Sequence, residues 1–264
     1  MIIIPIKIKD RLTSCIKKFQ PILLSAKKRD VNESDTIIIV NDMLTDIFGF
    51  DKYLEITSEY VIRGTFVDLA IKLDGKIQTL IEVKAIGLEL KETHVRQAVD
   101  YGVKQGVDWA ILTNGANWQI YKIYFNKPID QELILEFDFL NLNPRNSDDI
   151  EHLYFLTKEG WGKGLLGEYH AQRQVLNRYS IGAILLSDSI LKVIRHELRC
   201  ISPDVKIEIG QIQEVLLQEV LKRDVVEGER AEDAKRKVTR AIIKTSKKAS
   251  KEIIEEKLEL DEQK

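Results

Sequence analysis

Asp68-Leu-Ala-Ile-Lys-Leu-Asp-Gly-Lys-Ile-Gln-Thr-Leu-Ile-Glu-Val-Lys84 reads as two apolar strands joined at Asp74-Gly75, a tight-turn dipeptide. In the first strand Val67, Leu69, Ile71 and Leu73 alternate with Phe66, Asp68, Ala70 and Lys72. In the second, Ile77, Thr79, Ile81 and Val83 alternate with Leu80, Glu82 and Lys84. Register decides whether the charges meet. A plain two-residue turn sets Asp68 across from Ile81 and mixes the two faces, which is expensive where one face is buried. A three-residue bulged turn, Leu73-Asp74-Gly75 with Gly75 left-handed, restores the match. It puts Val67, Leu69 and Ile71 with Ile81 and Val83, and it puts Asp68, Glu82 and Lys84 together on the other face. We therefore expect that odd-length turn.

Working outward, residues 9–50 have helical texture. Leu12, Cys15, Ile16, Phe19, Ile22 and Leu23 recur at three-to-four spacing, and Pro21 is expected to bend or split that segment. Residues 30–35 supply cap candidates for a second helix over 37–48, ending at Gly49. Strand texture follows, with candidate strands at 59–62, 66–73, 78–85, 109–113 and 118–124 and a helix near 93–104 that Thr93 can cap. Strands interleaved with a helix predict an α/β (α+β) mixed sheet flanked by helices. Beyond Pro144 the apolar periodicity is helical around 150–165, 175–196 and 212–225. From Glu227 on, the chain is charge-dense and lacks aromatic residues. The expected organisation is a core over 1–145, a helical region over 146–226 and a charged helical or disordered tail over 227–264.

The chain has 264 residues, 44% of them apolar, enough for a sizeable core. Charged residues reach 31%, yet the formal net charge is −2, so the global basic excess of many nucleic-acid binders is absent. Cys15 and Cys200 are far apart and form no CxxC or Cys/His cluster; both are expected to be buried small apolar residues. The opening Met-Ile-Ile-Ile-Pro-Ile-Lys is too short an apolar run for a secretory signal, and no run approaches the roughly 18 residues of a membrane span. A cytoplasmic protein without membrane contact is the expectation.

Two carboxylates on one strand face, Asp68 and Glu82, suit a hard divalent cation, with Mg²⁺ the usual choice and Mn²⁺ the alternative. Such an ion stabilises charge on a phosphate and acidifies a water, and Lys84 can orient that water or offset developing charge. The bland alternative is a solvated strand face with a Glu-x-Lys pattern. On the 93–104 helix, His94, Gln97 and Tyr101 share a face, so Gln97 and Tyr101 can bond a phosphate or hold a carboxylate; the same spacing also fits an ordinary amphipathic helix. Glu33 either reaches the site or complements a helix dipole. His152, His170 and His196 read as structural or surface residues. No GxGxxG, P-loop, GxSxG or HExxH is present. Arg63, Lys84, Lys91 and Arg96 are candidates for phosphate contact. Eight basic residues without an acid run from Lys235 to Lys251, either a phosphate-binding stripe or a solvated helical tail.

With Glu33, Asp68, Glu82-Val-Lys84 and Gln97-Ala-Val-Asp-Tyr101 in this order, the chain resembles the PD-(D/E)xK nuclease superfamily. It is most similar to the N-terminal nuclease domain of type I restriction enzyme R subunits, in a stand-alone form. Glu55-Ile-Thr-Ser-Glu59, Arg63-Gly64 and Leu112-Thr-Asn-Gly-Ala-Asn-Trp118-Gln-Ile-Tyr121 add to the likeness, which covers about residues 30–140. The resemblance implies a restriction-endonuclease-like core. It implies Asp68 and Glu82 as metal ligands, Lys84 as catalytic lysine, Glu33 as the helix acid, and Gln97 and Tyr101 as the Gln-x-x-x-Tyr motif. It implies a Mg²⁺-dependent DNA endonuclease of restriction or phage defence, using a metal-activated water, with no further cofactor. DNA is the implied partner, alongside a second copy or other defence subunits. Val67 stands where the motif name has Pro, and no helicase or translocase motor is present. A non-cleaving nucleic-acid-binding module and an interaction subunit of a defence complex are the alternatives.

Overall fold

The computed structural model describes residues 2–62, 65–125 and 128–244. Of the sequence expectations, Arg63 and the end of the charged tail lie outside the described residues. The chain divides into two compact units, Met1–His170 and Ala171–Lys264. The first is a mixed α/β unit and the second is helical, as the sequence texture predicts.

The first unit opens with α1 (Ile6–Arg29) and α2 (Glu33–Asp46). Pro21 lies inside α1 without splitting it, at an exposed position. Asn32 caps α2 by accepting from the Asp35 N–H. Six strands follow: β1 (Ile56–Ile62), β2 (Thr65–Leu73), β3 (Lys76–Val83), β4 (Trp109–Thr113), β5 (Asn117–Tyr124) and β6 (Asp130–Asp138). They form one sheet in chain order, antiparallel except for the parallel β3–β4 pair. Crossing from β3 to a parallel β4 needs a helical connection, and α3 (Glu92–Gln105) supplies it. The N-cap of α3 is Lys91, not Thr93: the Lys91 N–H donates to His94 Nδ1, and Thr93 lies within the first turn.

Two layers cover the sheet. Helices α1, α2 and α4 (Ser147–Leu156) bury Leu12, Ile16, Val40, Met43, Leu153 and Tyr154 with Leu69, Ile71, Ile81, Val83, Trp118 and Ile120. On the other face α3 lays Val95, Ala98 and Val99 on Ala110 and Leu112, and Tyr101 on Ala70 and Leu80. The unit continues past residue 145 because α4 and α5 (Lys158–Gly162) belong to the core of this layer.

The second unit contains α7 (Arg178–Leu185), α8 (Asp188–Ile201), α9 (Ile209–Val215), α10 (Arg223–Val226) and a further helical stretch over 229–244. In the sequence, α6 (Leu165–Val175) runs across the division at residue 170, and its Leu165 and Leu166 belong to the first unit's core. Cys200, expected to be buried, is exposed on α8, whereas Cys15 is half-buried and donates to the Asp46 carbonyl. No described helix is long and apolar enough to cross a membrane.

Candidate active site

The hairpin corrects one expectation and preserves its consequence. The turn is the two-residue Asp74-Gly75 type, with Leu73 paired to Lys76 and both turn residues at positive φ, 51° and 74°. That is the left-handed pair a primed hairpin turn demands. The odd residue is absorbed farther along: Lys72 pairs with Ile77, then Ile71 with Thr79, so Gln78 is the bulge. Beyond it Ala70 faces Leu80 and Leu69 faces Ile81, the last pair of the ladder, and the next residues, Asp68 and Glu82, come close enough for the Asp68 charge to act on Glu82. The bulge also turns Ile77 onto the Ala70–Leu80 face, away from Thr79, where alternation had placed it. Val67 likewise packs with Ala70, Leu80 and Tyr101, not with Ile81 and Val83. Past the Leu69–Ile81 pair the Val83 N–H donates to Asp68 Oδ2 at 2.7 Å.

That bond ties the Asp68 carboxylate to the end of β3. Glu82 is 1% exposed, and its Oε1 accepts from Lys84 Nζ at 2.7 Å. The parallel ladder runs on through the Lys84 N–H to the Thr113 carbonyl, which fixes the lysine backbone at the strand's carboxyl end. Thr36, fully buried in α2, receives the Ile86 N–H through Oγ1. Its place one turn after Glu33 carries that acid to the site, and Glu33 Oε2 lies 3.6 Å from Lys84 Nζ. Sequence reasoning missed Thr36; its signal was a threonine three residues after the candidate acid on the same helix face.

Burial sets the electrostatics. Desolvation pushes the Glu82 carboxyl up to about 7; the Lys84 hydrogen bond opposes this, and the Asp68 and Glu33 charges add to it. Burial works against the Lys84 charge, but the bond to Glu82 and the nearby acids outweigh it, so the ammonium is held above its usual range. Glu82 Oε2 is buried without a hydrogen-bond partner. A buried carboxylate oxygen in that state is costly unless something positive meets it.

Gln97 Nε2 donates to the Tyr101 hydroxyl at 3.2 Å, and the Tyr101 ring packs on Ala70 and Leu80, neighbours of Asp68 and Glu82 on their strands. Lys91 and Arg96 are exposed, at the start and in the second turn of α3. The structure thus brings Glu33, Asp68, Glu82 and Lys84 together, and it sets the Gln97–Tyr101 pair on the helix that covers the same sheet face.

The donor set is hard: carboxylate oxygens beside an ammonium, with no thiolate or imidazole among these residues. Among the described residues no group of three or more His, Cys, Asp or Glu is arranged to hold a metal. Mg²⁺ commonly takes one or two carboxylates and completes its shell with water and phosphate oxygens. Asp68 and Glu82, with Glu82 Oε2 unpartnered, fit that ion.

Comparison with known proteins agrees with this geometry. No curated protein and no solved structure matches the chain. Residues 37–134 match the family model described as the type I restriction enzyme R protein N terminus (HSDR_N), a span that holds Asp68, Glu82, Lys84, Gln97 and Tyr101 and begins just after Glu33. Over these residues the chain is therefore similar to the N-terminal domain of type I restriction enzyme R proteins, and the stretch fits a nuclease-like domain of that kind.

Proposed function

We propose that the chain is a divalent-metal-dependent nuclease that hydrolyses DNA phosphodiesters in a restriction or defence system. The observation that carries the reading is Glu82 Oε2, a buried carboxylate oxygen without a partner, close enough to Asp68 to feel its charge. Asp68 and Glu82 would hold Mg²⁺ or Mn²⁺, which when bound supplies Lewis-acid stabilisation of a phosphate and acidifies a water.

The chain's own groups do the rest. The Val83 N–H keeps the Asp68 carboxylate aimed. Glu82 and Glu33 hold Lys84 charged, so its ammonium can meet the negative charge that builds on the phosphate. Tyr101 accepts from Gln97 and retains its own proton to donate to a phosphate oxygen or to a site carboxylate. Lys91, Arg96 and Arg63 would contact backbone phosphates, which position the strand without reading its bases. DNA, and a second copy or other restriction subunits, are the partners this reading implies, in the cytoplasm.

Supercoiled plasmid and single-stranded circles incubated with Mg²⁺, Mn²⁺ or EDTA test the proposal. Nicked and linear products should appear with either metal, vanish in EDTA, and vanish with Asp68→Asn and Lys84→Met. Equal conversion by wild type and both variants would refute it. A second reading, a non-cleaving nucleic-acid-binding module, draws on the lack of a three-donor group among the described residues. DNA binding without cleavage in either metal would select it.

A further inference from the structure

The last described helical stretch, 229–244, has two dissimilar sides. Ala231, Ala234, Val238 and Ile242 recur at three-to-four spacing, and the two alanines are buried. This side turns to an apolar groove of the second unit shared with Gly182, Leu186, Leu217 and Val225. Its three acids, Glu229, Glu232 and Asp233, all fall in the first five residues, and Asp233 is paired with Arg236. The final ten residues contain Lys235, Arg236, Lys237, Arg240 and Lys244 and no acid; all five are exposed. Arg236, Arg240 and Lys244 recur every four residues and Lys237 lies two turns from Lys244, so four cations share the side opposite the groove. The sequence adds Lys247, Lys248 and Lys251 before its next acid, Glu252. This density stands out in a chain whose net charge is −2.

We infer that this face, Arg236, Lys237, Arg240 and Lys244, is a docking surface for the phosphate backbone of duplex DNA, separate from the Asp68–Glu82 site. The inference rests on DNA being the ligand, as proposed above. Ten helical residues span about 14 Å, comparable with the ~12 Å width of the major groove, so cations at its two ends can meet phosphates of both strands. A membrane surface fits less well. The stretch has no aromatic residue, and Ala231 and Ala234 of its apolar stripe are buried against the protein. The contact is sequence-independent: it raises the local concentration of DNA and leaves base choice to other residues.

The test uses the full chain in EDTA, a short fluorescent duplex, and anisotropy between about 50 and 200 mM salt. Lys237→Gln/Arg240→Gln/Lys244→Gln removes three cations from exposed positions, and circular dichroism verifies that the helix content is unchanged. Each lost phosphate contact lowers the log–log salt slope by about 0.9, so the triple variant's slope should fall by about 2.7. The affinity gained on going from high to low salt then shrinks about 40-fold. Lys237→Arg/Arg240→Lys/Lys244→Arg should bind as wild type does. An unchanged slope in the neutral variant, or no salt-dependent binding by wild type, would overturn the inference. Cleavage is not read in this experiment, so its failure leaves the Asp68–Glu82 proposal standing, and failure of plasmid cleavage leaves this one standing.

Discussion

Glu82→Gln should make the metal-free protein more stable at pH 8 while removing its activity. Glu82 is 1% exposed, and burial raises its carboxyl from 4.5 to about 7. The folded chain therefore keeps a proton that the unfolded chain has already released between those values. A raised carboxyl is a stability loss that grows with pH: stability falls as pH rises from about 4.5 to about 7 and is level on either side. At 1.36 kcal/mol for each pH unit, the accumulated loss is on the order of 3 kcal/mol, with the attraction of Lys84 already included. Glutamine has the same shape, still accepts from Lys84 and carries no charge to desolvate. Its advantage should be near zero at pH 4.5 and about 3 kcal/mol at pH 8, or roughly 6–12 °C in Tm for a unit of this size. Urea unfolding in EDTA across this pH range, followed by tryptophan fluorescence, measures it. Trp109, Trp118 and Trp161 all lie in the first unit, so the signal reports the unit that contains the site. A variant no more stable than wild type at pH 8, or an advantage that does not change with pH, would refute the reasoning.

Three structural predictions accompany it. Deleting Gln78 removes the bulge but leaves Ile71–Thr79 and Leu69–Ile81 paired, so the hairpin should fold with Asp68 still close to Glu82 and lose under about 1 kcal/mol by urea unfolding. Gly75→Val places a β-branched residue at φ 74° and should cost about 1–3 kcal/mol in the same measurement. Gln20 Nε2 bonds the carbonyls of Phe139, Leu140 and Leu142; Gln20→Leu should cost about 1–3 kcal/mol and speed hydrogen exchange in the segment after β6.

Period-2 alternation and a Gly-terminated helix made most of the sheet legible: β4 falls at 109–113 as read, and α3 within a residue at each end. Failures arose where a bulge breaks the period. In β6, Ile134 and Leu135 are both buried although adjacent, because the pairing with β5 slips between Ile120 and Tyr121. Four acids within that strand further conceal it. Asp74-Gly75 specifies a two-residue turn, and the alternation of the two strands requires one extra residue elsewhere in the hairpin. Nothing local marks Gln78 as its place, because bulge position is set by twist and packing on both faces. Glu33 joined the site through Thr36 and Ile86, a contact between residues fifty apart that no window reveals. In the second unit the basic run from Lys235 was legible in the sequence, but which of its cations share a side became so only with the groove that orients the helix.

Single-turnover hydrolysis of end-labelled DNA in Mg²⁺, wild type against Glu82→Gln, tests the central claim most directly. Wild type should cleave, and the variant, folded and more stable at pH 8, should lose about 10³-fold or more. Equal rates would show that the Asp68–Glu82–Lys84 cluster is not where the phosphodiester is cut.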